Sequence, residues 1–272
     1  MKIFPNTDDD SERDRERYER ANLNHLANDL LDLEDGYESF PIQHTPPFAQ
    51  YYKEIEKFLI PKESKIRVLE IGAGNGQHTK QLLTSKTEVT ALDISESSLA
   101  IIEKKFNGLI TTVIGNIECL PFESDYFDLI VSAGALSYGE PKKVDSEIFR
   151  VLKMDGAFIF IDSLNHNWIY RANRFFRFMR GNRTLSTVLR IPDLVRVEEI
   201  GFMYKKSYVS YFGAWLWIFP LFRFTFGRRI AIKINGWLET LPISKRNAFK
   251  IVARFEGKKT HHIESGERIR PE

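Results

Sequence analysis

The sequence lacks the features of disulfide-stabilised, secreted and membrane-spanning proteins. Its 272 residues include one cysteine, Cys119, which excludes an intramolecular disulfide framework and fits a reducing compartment. The longest apolar run, residues 208–222, contains Pro220 and is about 15 residues long, whereas a membrane-spanning helix needs about 20. Acidic residues at 8–10 stand where a secretory signal needs an apolar stretch of about 7 to 15 residues. We therefore expect a cytoplasmic protein.

The chain also lacks a large net charge, but this near-neutral total hides a division. The 39 Lys+Arg and 37 Asp+Glu residues give a net charge of +2. Residues 1–163 carry 18 basic and 29 acidic residues, a net of −11, and residues 164–272 carry 21 and 8, a net of +13. All four tryptophans lie in the second part. This asymmetry indicates two parts with different tasks.

The N-terminal and C-terminal segments differ in composition from the rest of the chain. Residues 6–20 alternate acidic and arginine side chains with almost nothing apolar, which predicts that residues 1–20 form an acidic arm that is disordered or bound to a partner. Residues 21–60 contain two amphipathic helical patterns broken by prolines and are predicted to form an N-terminal helical lid. A main domain is predicted over 61–257, followed by a polar tail at 258–272.

Short apolar runs alternate with helical patterns from Arg67 onward, which predicts βαβ units and a parallel sheet covered by helices on both faces. The fold class is therefore α/β, with a seven-stranded, mostly parallel, doubly wound sheet. Residues 164–191, after the fifth strand, and 213–245, between the sixth and seventh, are then insertions. The expected elements before the first insertion are strands Arg67–Ile71, Glu88–Asp93, Ile110–Ile114, Asp128–Ala133 and Ala157–Asp162 and helices Gly76–Leu83, Ser97–Phe106 and Val144–Leu152.

A glycine-rich turn follows the first of these strands. Gly72, Gly74 and Gly76 come directly after a buried strand, so the backbone can turn sharply and approach a ligand closely. Asp93 ends the next strand, the place from which a carboxylate reaches the hydroxyls of a bound ribose. Gln77 replaces the third small residue of the dinucleotide fingerprint, and Glu70 suits a ligand that carries an ammonium and a sulfonium. The pattern indicates a cationic nucleoside.

Several blocks in order give the chain a family resemblance. Glu70–Gly76, Asp93, Gly115–Phe122, Phe127–Val131 and Arg150–Ala157 together resemble the class I S-adenosylmethionine-dependent methyltransferases, specifically their type 11 small-molecule group. The resemblance covers about 60–163 well and 192–212 and 248–255 loosely. It implies a Rossmann-like methyltransferase fold and S-adenosyl-L-methionine as the cofactor.

The resemblance also implies roles for individual residues. Glu70 and the loop residues Gly72, Ala73, Gly74 and Gly76 would hold the methionine end, and Asp93 would accept hydrogen bonds from the ribose. The remaining assignments are Ile94, Asn116 and Ile117 at the adenine, with Asn116 in place of the more usual aspartate, and Ala133 with Gly134 near the transferred methyl group.

Residues after the fourth and fifth strands are the candidates for acceptor chemistry. The chain has Ser132–Tyr138 where many amino-methyltransferases carry an Asn/Asp-Pro-Pro-Tyr/Phe block, which favours an oxygen or carbon acceptor over such a nitrogen. A hydroxyl acceptor loses a proton, so a base helps. His166 is the candidate base, with a surface histidine as the alternative, and Tyr138 either orients the acceptor or only packs there. The histidines form no metal-binding set, so no metal is predicted.

The insertions combine arginines with aromatic residues. Arginines recur every third position from Arg171 to Arg183, and a second aromatic region runs from Tyr211 to Arg229. One interpretation is a hydrophobic lid rimmed by positive charge, suited to an anionic lipid-linked substrate or to the membrane surface. The alternative is that the aromatic side chains only pack on the sheet. Nucleic acid is disfavoured because no RNA-binding module accompanies them.

These observations predict methyl transfer from S-adenosylmethionine to an oxygen of a small-molecule or glycan acceptor. The preferred acceptor is a sugar hydroxyl in the biosynthesis of a lipid-linked surface polysaccharide, with the enzyme peripheral at the inner face of the membrane. A quinone-like or other lipid acceptor is one alternative, and a non-catalytic cofactor-binding partner subunit is another. The sequence does not indicate an oligomeric state.

Overall fold

A computed structural model describes residues 13, 16, 45–179, 184–215, 219–239, 241 and 244–259. The predicted acidic arm except positions 13 and 16, the first helix of the predicted lid, and the tail from residue 260 lie outside this part. The helices are α1 Thr45–Leu59, α2 Glu96–Phe106, α3 Pro141–Val151, α4 Trp168–Met179, α5 Leu185–Leu189, α6 Leu194–Phe202, α7 Phe219–Glu239 and α8 Ser244–Asn247. The strands are β1 Ile66–Ile71, β2 Thr87–Asp93, β3 Thr111–Ile114, β4 Phe127–Ala133, β5 Leu152–Ser163, β6 Tyr204–Phe212 and β7 Lys250–Lys258.

The seven strands form one sheet in the order β3-β2-β1-β4-β5-β7-β6. Strand β7 runs antiparallel to both of its neighbours, and the pairs among β1 to β5 are all parallel. The central strands are largely apolar and buried, as in β4, where Leu129, Ile130 and Val131 are fully buried, because helices cover both faces of the sheet. The predicted α/β fold with a seven-stranded, mostly parallel sheet is confirmed.

Two hydrophobic cores lie on the two faces of the sheet. On one face, Val144 and Ile148 of α3 and Val197 of α6 pack with strand residues such as Phe158. On the other face, α1 and α2 supply the helical side of the core. Tyr51 and Ile55 of α1 are almost fully buried there, so the part of the predicted lid that the structure describes is a packed layer of the domain.

The connection between β1 and β2 differs from its prediction. A helix was expected over Gly76–Leu83, but the segment forms turns followed by a short 3-10 helix at Thr79–Leu82. Gly76 has a φ of 75°, a left-handed conformation that continues the turn instead of starting a helix. The Thr87 hydroxyl then donates to the Leu82 carbonyl at 2.7 Å, which closes the segment early. The prediction was wrong because the glycine turn uses residues that the helix would need.

Both insertions leave the sheet at the edge formed by the carboxyl ends of the parallel strands. The first follows β5 and contains α4 and α5, and the second joins β6 to β7 and contains α7, which is interrupted at Gly227. The Tyr170 hydroxyl of α4 donates to the Gly213 carbonyl at 2.6 Å, so the bases of the two insertions are joined. Among the described helices, none is long and apolar enough to cross a membrane.

Candidate functional site

A cavity of about 270 Å³ opens at the carboxyl ends of β1 to β4. Its lining includes eight of the ten predicted cofactor residues: Gly72, Ala73, Gly74, Asp93, Ile94, Asn116, Ile117 and Ala133. The predicted Tyr138 lines it as well, with Gly134 beside Ala133. Residues from four strand ends that are distant in sequence therefore meet in one pocket, as the sheet topology predicted.

The glycine turn forms the floor of this pocket. Gly72, Gly74 and Gly76 all have positive φ, and the Gly72 N–H donates to the Leu92 carbonyl at 2.8 Å. A Cβ atom on Gly72 would lie 2.4 Å from the Cβ of Ala135, whereas one on Gly74 would meet nothing within 4 Å. Gly72 is thus required for packing against the segment after β4, and Gly74 for the shape of the loop.

Asp93 links the end of β2 to the glycine turn. Its Oδ2 accepts a hydrogen bond from the Gly74 N–H at 2.8 Å, and its Oδ1 accepts one from the Ser95 N–H at 2.9 Å. These two backbone donors fix the plane of the carboxylate at the pocket wall. A carboxylate has about four lone-pair sites, so an oriented Asp93 can also accept hydrogen bonds from a ligand's hydroxyl groups.

Glu70 and Gly76 are the two predicted cofactor residues that do not line the described cavity. Glu70 is buried beneath the glycine turn, where its Oε2 accepts a hydrogen bond from the Thr79 hydroxyl at 2.6 Å. Burial raises the pKa of Glu70 to about 7, with a smaller opposing effect of the Thr79 hydrogen bond. A cation bound above the turn would therefore favour the ionised form of this carboxyl group.

His78 also lines the cavity and contacts α1. The Tyr52 hydroxyl lies 2.7 Å from Nδ1 of His78, and the Phe48 ring stacks on the imidazole with 4.8 Å between centroids. Burial, with Lys250 and Lys105 nearby, lowers the pKa of His78 to about 4, so the ring is neutral at physiological pH. Sequence reasoning missed Phe48 and Tyr52 because their pairing with His78 depends on tertiary packing.

The segment after β4 forms the wall toward the insertions. It carries Tyr138 and is held from two sides: Asp162 Oδ2 accepts from the Leu136 N–H at 3.3 Å, and Arg196 Nη1 donates to the Leu136 carbonyl at 3.2 Å. Arg196 also makes a two-point ion pair with Asp145. Sequence reasoning did not identify Asp162 or Arg196 as supports, because both act through the backbone of Leu136.

The structure does not bring the predicted base to this cavity. His166 follows β5 in a half-buried position, and it is not among the residues that line the described pocket. Within the described residues, no group of three or more His, Cys, Asp or Glu side chains could hold a metal ion.

Comparisons with known proteins agree with this geometry. Residues 69–160 match the family described as methyltransferase domain. An uncharacterised methyltransferase-like protein of Schizosaccharomyces pombe is 27% identical over 205 residues, which cover 74% of this chain and 68% of the relative. The ubiquinone/menaquinone biosynthesis C-methyltransferase UbiE of Wigglesworthia glossinidia brevipalpis is 35% identical over 105 residues, or 35% of this chain and 42% of the relative.

A solved structure shows the same fold. The phosphoethanolamine N-methyltransferase 2 of Haemonchus contortus, in complex with phosphomonomethylethanolamine and S-adenosylhomocysteine, gives a TM-score of 0.53 at 18% identity. The superposition covers 78% of this chain and 53% of that one. This chain spans 43%, 68%, 59% and 42% of the length of four curated relatives that it matches.

The strand order and the pocket at the carboxyl edge of the sheet agree with the match of residues 69–160 to a methyltransferase domain. The Haemonchus contortus enzyme was solved with S-adenosylhomocysteine and also with S-adenosyl-L-methionine. The matched domain is the type 11 methyltransferase domain that the sequence resemblance indicated.

Proposed function

We propose that the protein transfers the methyl group of S-adenosylmethionine to an oxygen atom of a small-molecule or glycan acceptor. The observation that supports this best is Asp93, which is fixed by two backbone N–H groups at the wall of a pocket floored by glycines. A carboxylate oriented in this way suits the two hydroxyl groups of a ribose. S-adenosylmethionine supplies a methyl group that is already activated by the sulfonium, so the chain contributes mainly alignment and proximity.

The pocket residues divide between the parts of the cofactor. The turn Gly72–Gly76 would receive the methionine end, with the carboxyl group of Glu70 below it. Ile94, Asn116 and Ile117 would contact the adenine. The Asn116 Oδ1 accepts the Glu118 N–H at 2.9 Å, which fixes the orientation of the amide. Ala133 and Gly134 would then lie nearest the reacting methyl group and leave space for an acceptor.

The acceptor would enter from the side of Tyr138 and the insertions. Tyr138, which lines the pocket, would orient the acceptor. His166 does not line the described pocket, but it follows β5 at the same edge of the sheet and is the proposed base for the proton that a hydroxyl group loses as its oxygen forms the new bond to carbon. Residues 164–191 and 213–245 together contain eleven basic residues and one acidic residue. This charge favours an anionic acceptor, and a sugar joined to a lipid through phosphate has both the hydroxyl and the charge.

A quinone-like acceptor is the second candidate. It is supported by the 35% identity to UbiE, which is named as a C-methyltransferase of ubiquinone and menaquinone biosynthesis. In that case the methyl group would be joined to a ring carbon of the quinone. The exposed apolar side chains of the insertions would contact the hydrocarbon tail of the quinone, and no glycan would be involved.

The acceptor can be tested with cofactor labelled in its methyl group. The full chain is incubated with total lipid extract, and the labelled product is hydrolysed in acid. Label released as an O-methyl sugar supports the glycan acceptor, and label retained in an acid-stable lipid supports the quinone-like one. Absence of transfer to either fraction, together with absence of cofactor binding, would contradict the proposal. An Asp93→Ala variant is the matched negative control.

A further inference from the structure

Helix α4 presents its apolar side to solvent. Trp168, Phe176 and Met179 are 77%, 63% and 67% exposed, and with Ala172 they follow the spacing of one helix face. A helix that covers a soluble domain normally turns such a face inward. Phe175 is also half exposed on the same side.

The opposite side of α4 is anchored by an arginine. Arg174 is 8% exposed, and its Nη1 donates to the Leu164 carbonyl at 2.5 Å and lies 3.2 Å from Asn165 Oδ1. Its guanidinium group also lies over the Phe249 ring, 5.4 Å from the centroid. The outward orientation of the apolar face therefore results from specific contacts on the inner side of α4.

The second insertion has the same character. Phe224 is 90% exposed and Leu221 62% exposed, three positions apart on the first part of α7. Burying one such side chain is worth about 1.5–3 kcal/mol, so leaving several in water has a substantial cost. Exposed apolar side chains in this number mark a surface that meets a nonaqueous partner. Further ones on α5 and α7 are Leu189, Phe226 and Ile230.

Charge indicates which partner this is. Residues 164–191 contain six arginines and no acidic residue, and residues 213–245 contain five basic residues and one acidic residue. Arg171, Arg223 and Lys233 are exposed beside the apolar side chains. Tryptophan and arginine together are typical of segments that lie in the headgroup region of anionic membranes. Contact with hydrocarbon also stabilises the exposed Leu and Met side chains. RNA would leave these side chains unused, because its bases stack on aromatic rings.

We infer that the two insertions dock the protein on the surface of an anionic lipid bilayer. Trp168, Phe176, Met179, Leu221 and Phe224 enter the boundary between headgroups and acyl chains, and the basic side chains meet lipid phosphates. Because both insertions leave the sheet at the edge that holds the cofactor pocket, docking turns the pocket toward the membrane. The acceptor is then a lipid-linked molecule, and this second statement rests on the proposed function.

Vesicle flotation of the full chain tests the docking. The probes are vesicles of phosphatidylcholine alone and vesicles that also contain phosphatidylglycerol. We expect flotation only with phosphatidylglycerol and at least a tenfold loss of affinity in the variant Trp168→Ser, Phe224→Ser. Phe202→Ser is the matched control, because Phe202 is 71% exposed but lies on α6, outside the insertions. The charge variant Arg171→Glu, Arg223→Glu should lose binding similarly, whereas Lys104→Glu on α2 should not.

Several outcomes would overturn the inference. These are absence of flotation, equal flotation of the Trp168→Ser, Phe224→Ser and Phe202→Ser proteins, and binding that bulk RNA displaces. Self-association that the double variant Trp168→Ser, Phe224→Ser abolishes, without any vesicle binding, would assign the surface to a second copy of the chain. Calorimetry with S-adenosylhomocysteine on the same samples separates the two proposals. Cofactor binding without flotation refutes docking only, and flotation without cofactor binding refutes the proposed activity only.

Discussion

The Thr79 hydroxyl donates a hydrogen bond to Glu70 Oε2 at 2.6 Å beneath the glycine turn. This contact places an ionisable group directly under the floor of the cofactor pocket, out of reach of water. Because burial raises the pKa of Glu70 to about 7, the group changes charge near physiological pH. Both stability and cofactor binding should therefore depend on pH through this residue.

The stability effect has a definite sign. In the unfolded chain the carboxyl group titrates near 4.5, and in the folded protein near 7, so the folded state holds the proton more tightly. The stability that Glu70 contributes is then lost as the pH rises from 4.5 to 7, by about 3 kcal/mol at most. We expect Glu70→Gln to raise the free energy of unfolding at pH 8 and to change it little at pH 5. Urea unfolding at both pH values measures this, with the exposed Glu63→Gln as the control. An equal effect of Glu70→Gln at both pH values would contradict it.

Cofactor affinity should show the opposite trend. A sulfonium and an ammonium near the turn favour ionised Glu70, so the affinity for S-adenosylmethionine should rise between pH 6 and pH 8. The Glu70→Gln variant should lose most of this rise. Calorimetry at several pH values checks the slope, and an unchanged slope in the variant would show that another group is responsible.

Gly72 and Gly74 should respond differently to alanine. Both have positive φ, which costs an alanine about 1–2 kcal/mol. Gly72→Ala adds a contact with Ala135 at 2.4 Å, whereas Gly74→Ala adds none. We expect Gly72→Ala to lower the free energy of unfolding by about 1–3 kcal/mol more than Gly74→Ala. The double variant Gly72→Ala, Ala135→Gly should recover part of that difference. Equal losses in the two single variants would rule out the packing role of Gly72.

The ion pair between Arg196 and Asp145 should stabilise the Tyr138 wall. Arg196 Nε and Nη2 lie 3.0 and 2.8 Å from the two oxygens of Asp145, and Arg196 is nearly buried. Removing one partner leaves a buried charge without its counterpart, so Asp145→Ala should cost about 3–5 kcal/mol. The double variant Asp145→Leu, Arg196→Met should cost less than Asp145→Ala alone. Denaturant titrations of the variants measure this, and additive losses would contradict the coupling.

Tyr138 and His166 have different expected kinetic effects. Tyr138→Phe should lower kcat at least tenfold while the Kd of the cofactor stays unchanged, because the tyrosine lines the pocket and its proposed role is to orient the acceptor. If His166 is the base, His166→Ala should lower kcat by about 10²–10⁴-fold and remove the acidic limb of the pH–rate profile. A lower kcat with an unchanged pH profile would assign His166 a positioning role.

The sheet and the cofactor loop could be predicted because their signals are local in the sequence. Short apolar runs, glycines at 72, 74 and 76, and Asp93 at a strand end are read directly from the chain. The contacts of His78 with Phe48 and Tyr52 could not be predicted, because they join α1 to a turn about 26 residues away. The same limit applies to the support of Leu136 by Arg196.

The insertions show a second limit. Spacing in the sequence indicates which residues share a helix face, but it does not indicate which face turns inward. Arginines at every third position drift around α4, so Arg174 is buried and Arg171 is exposed. The buried arginine is satisfied by the Leu164 carbonyl, which only the fold brings near. Hydrophobic patterning alone would have placed Trp168 and Met179 inside.

Calorimetric titration of the full chain with S-adenosylhomocysteine tests whether the pocket at the carboxyl edge binds the cofactor through Asp93. We expect one binding site per chain, at least a tenfold weaker affinity for Asp93→Ala, and an intermediate affinity for Asp93→Asn, because the carboxylate would accept hydrogen bonds from the ribose. Asp155→Ala, which alters an exposed carboxylate elsewhere on the chain, should bind as the wild type does. Absence of binding by the folded wild-type protein, or unchanged binding by Asp93→Ala, would contradict the account.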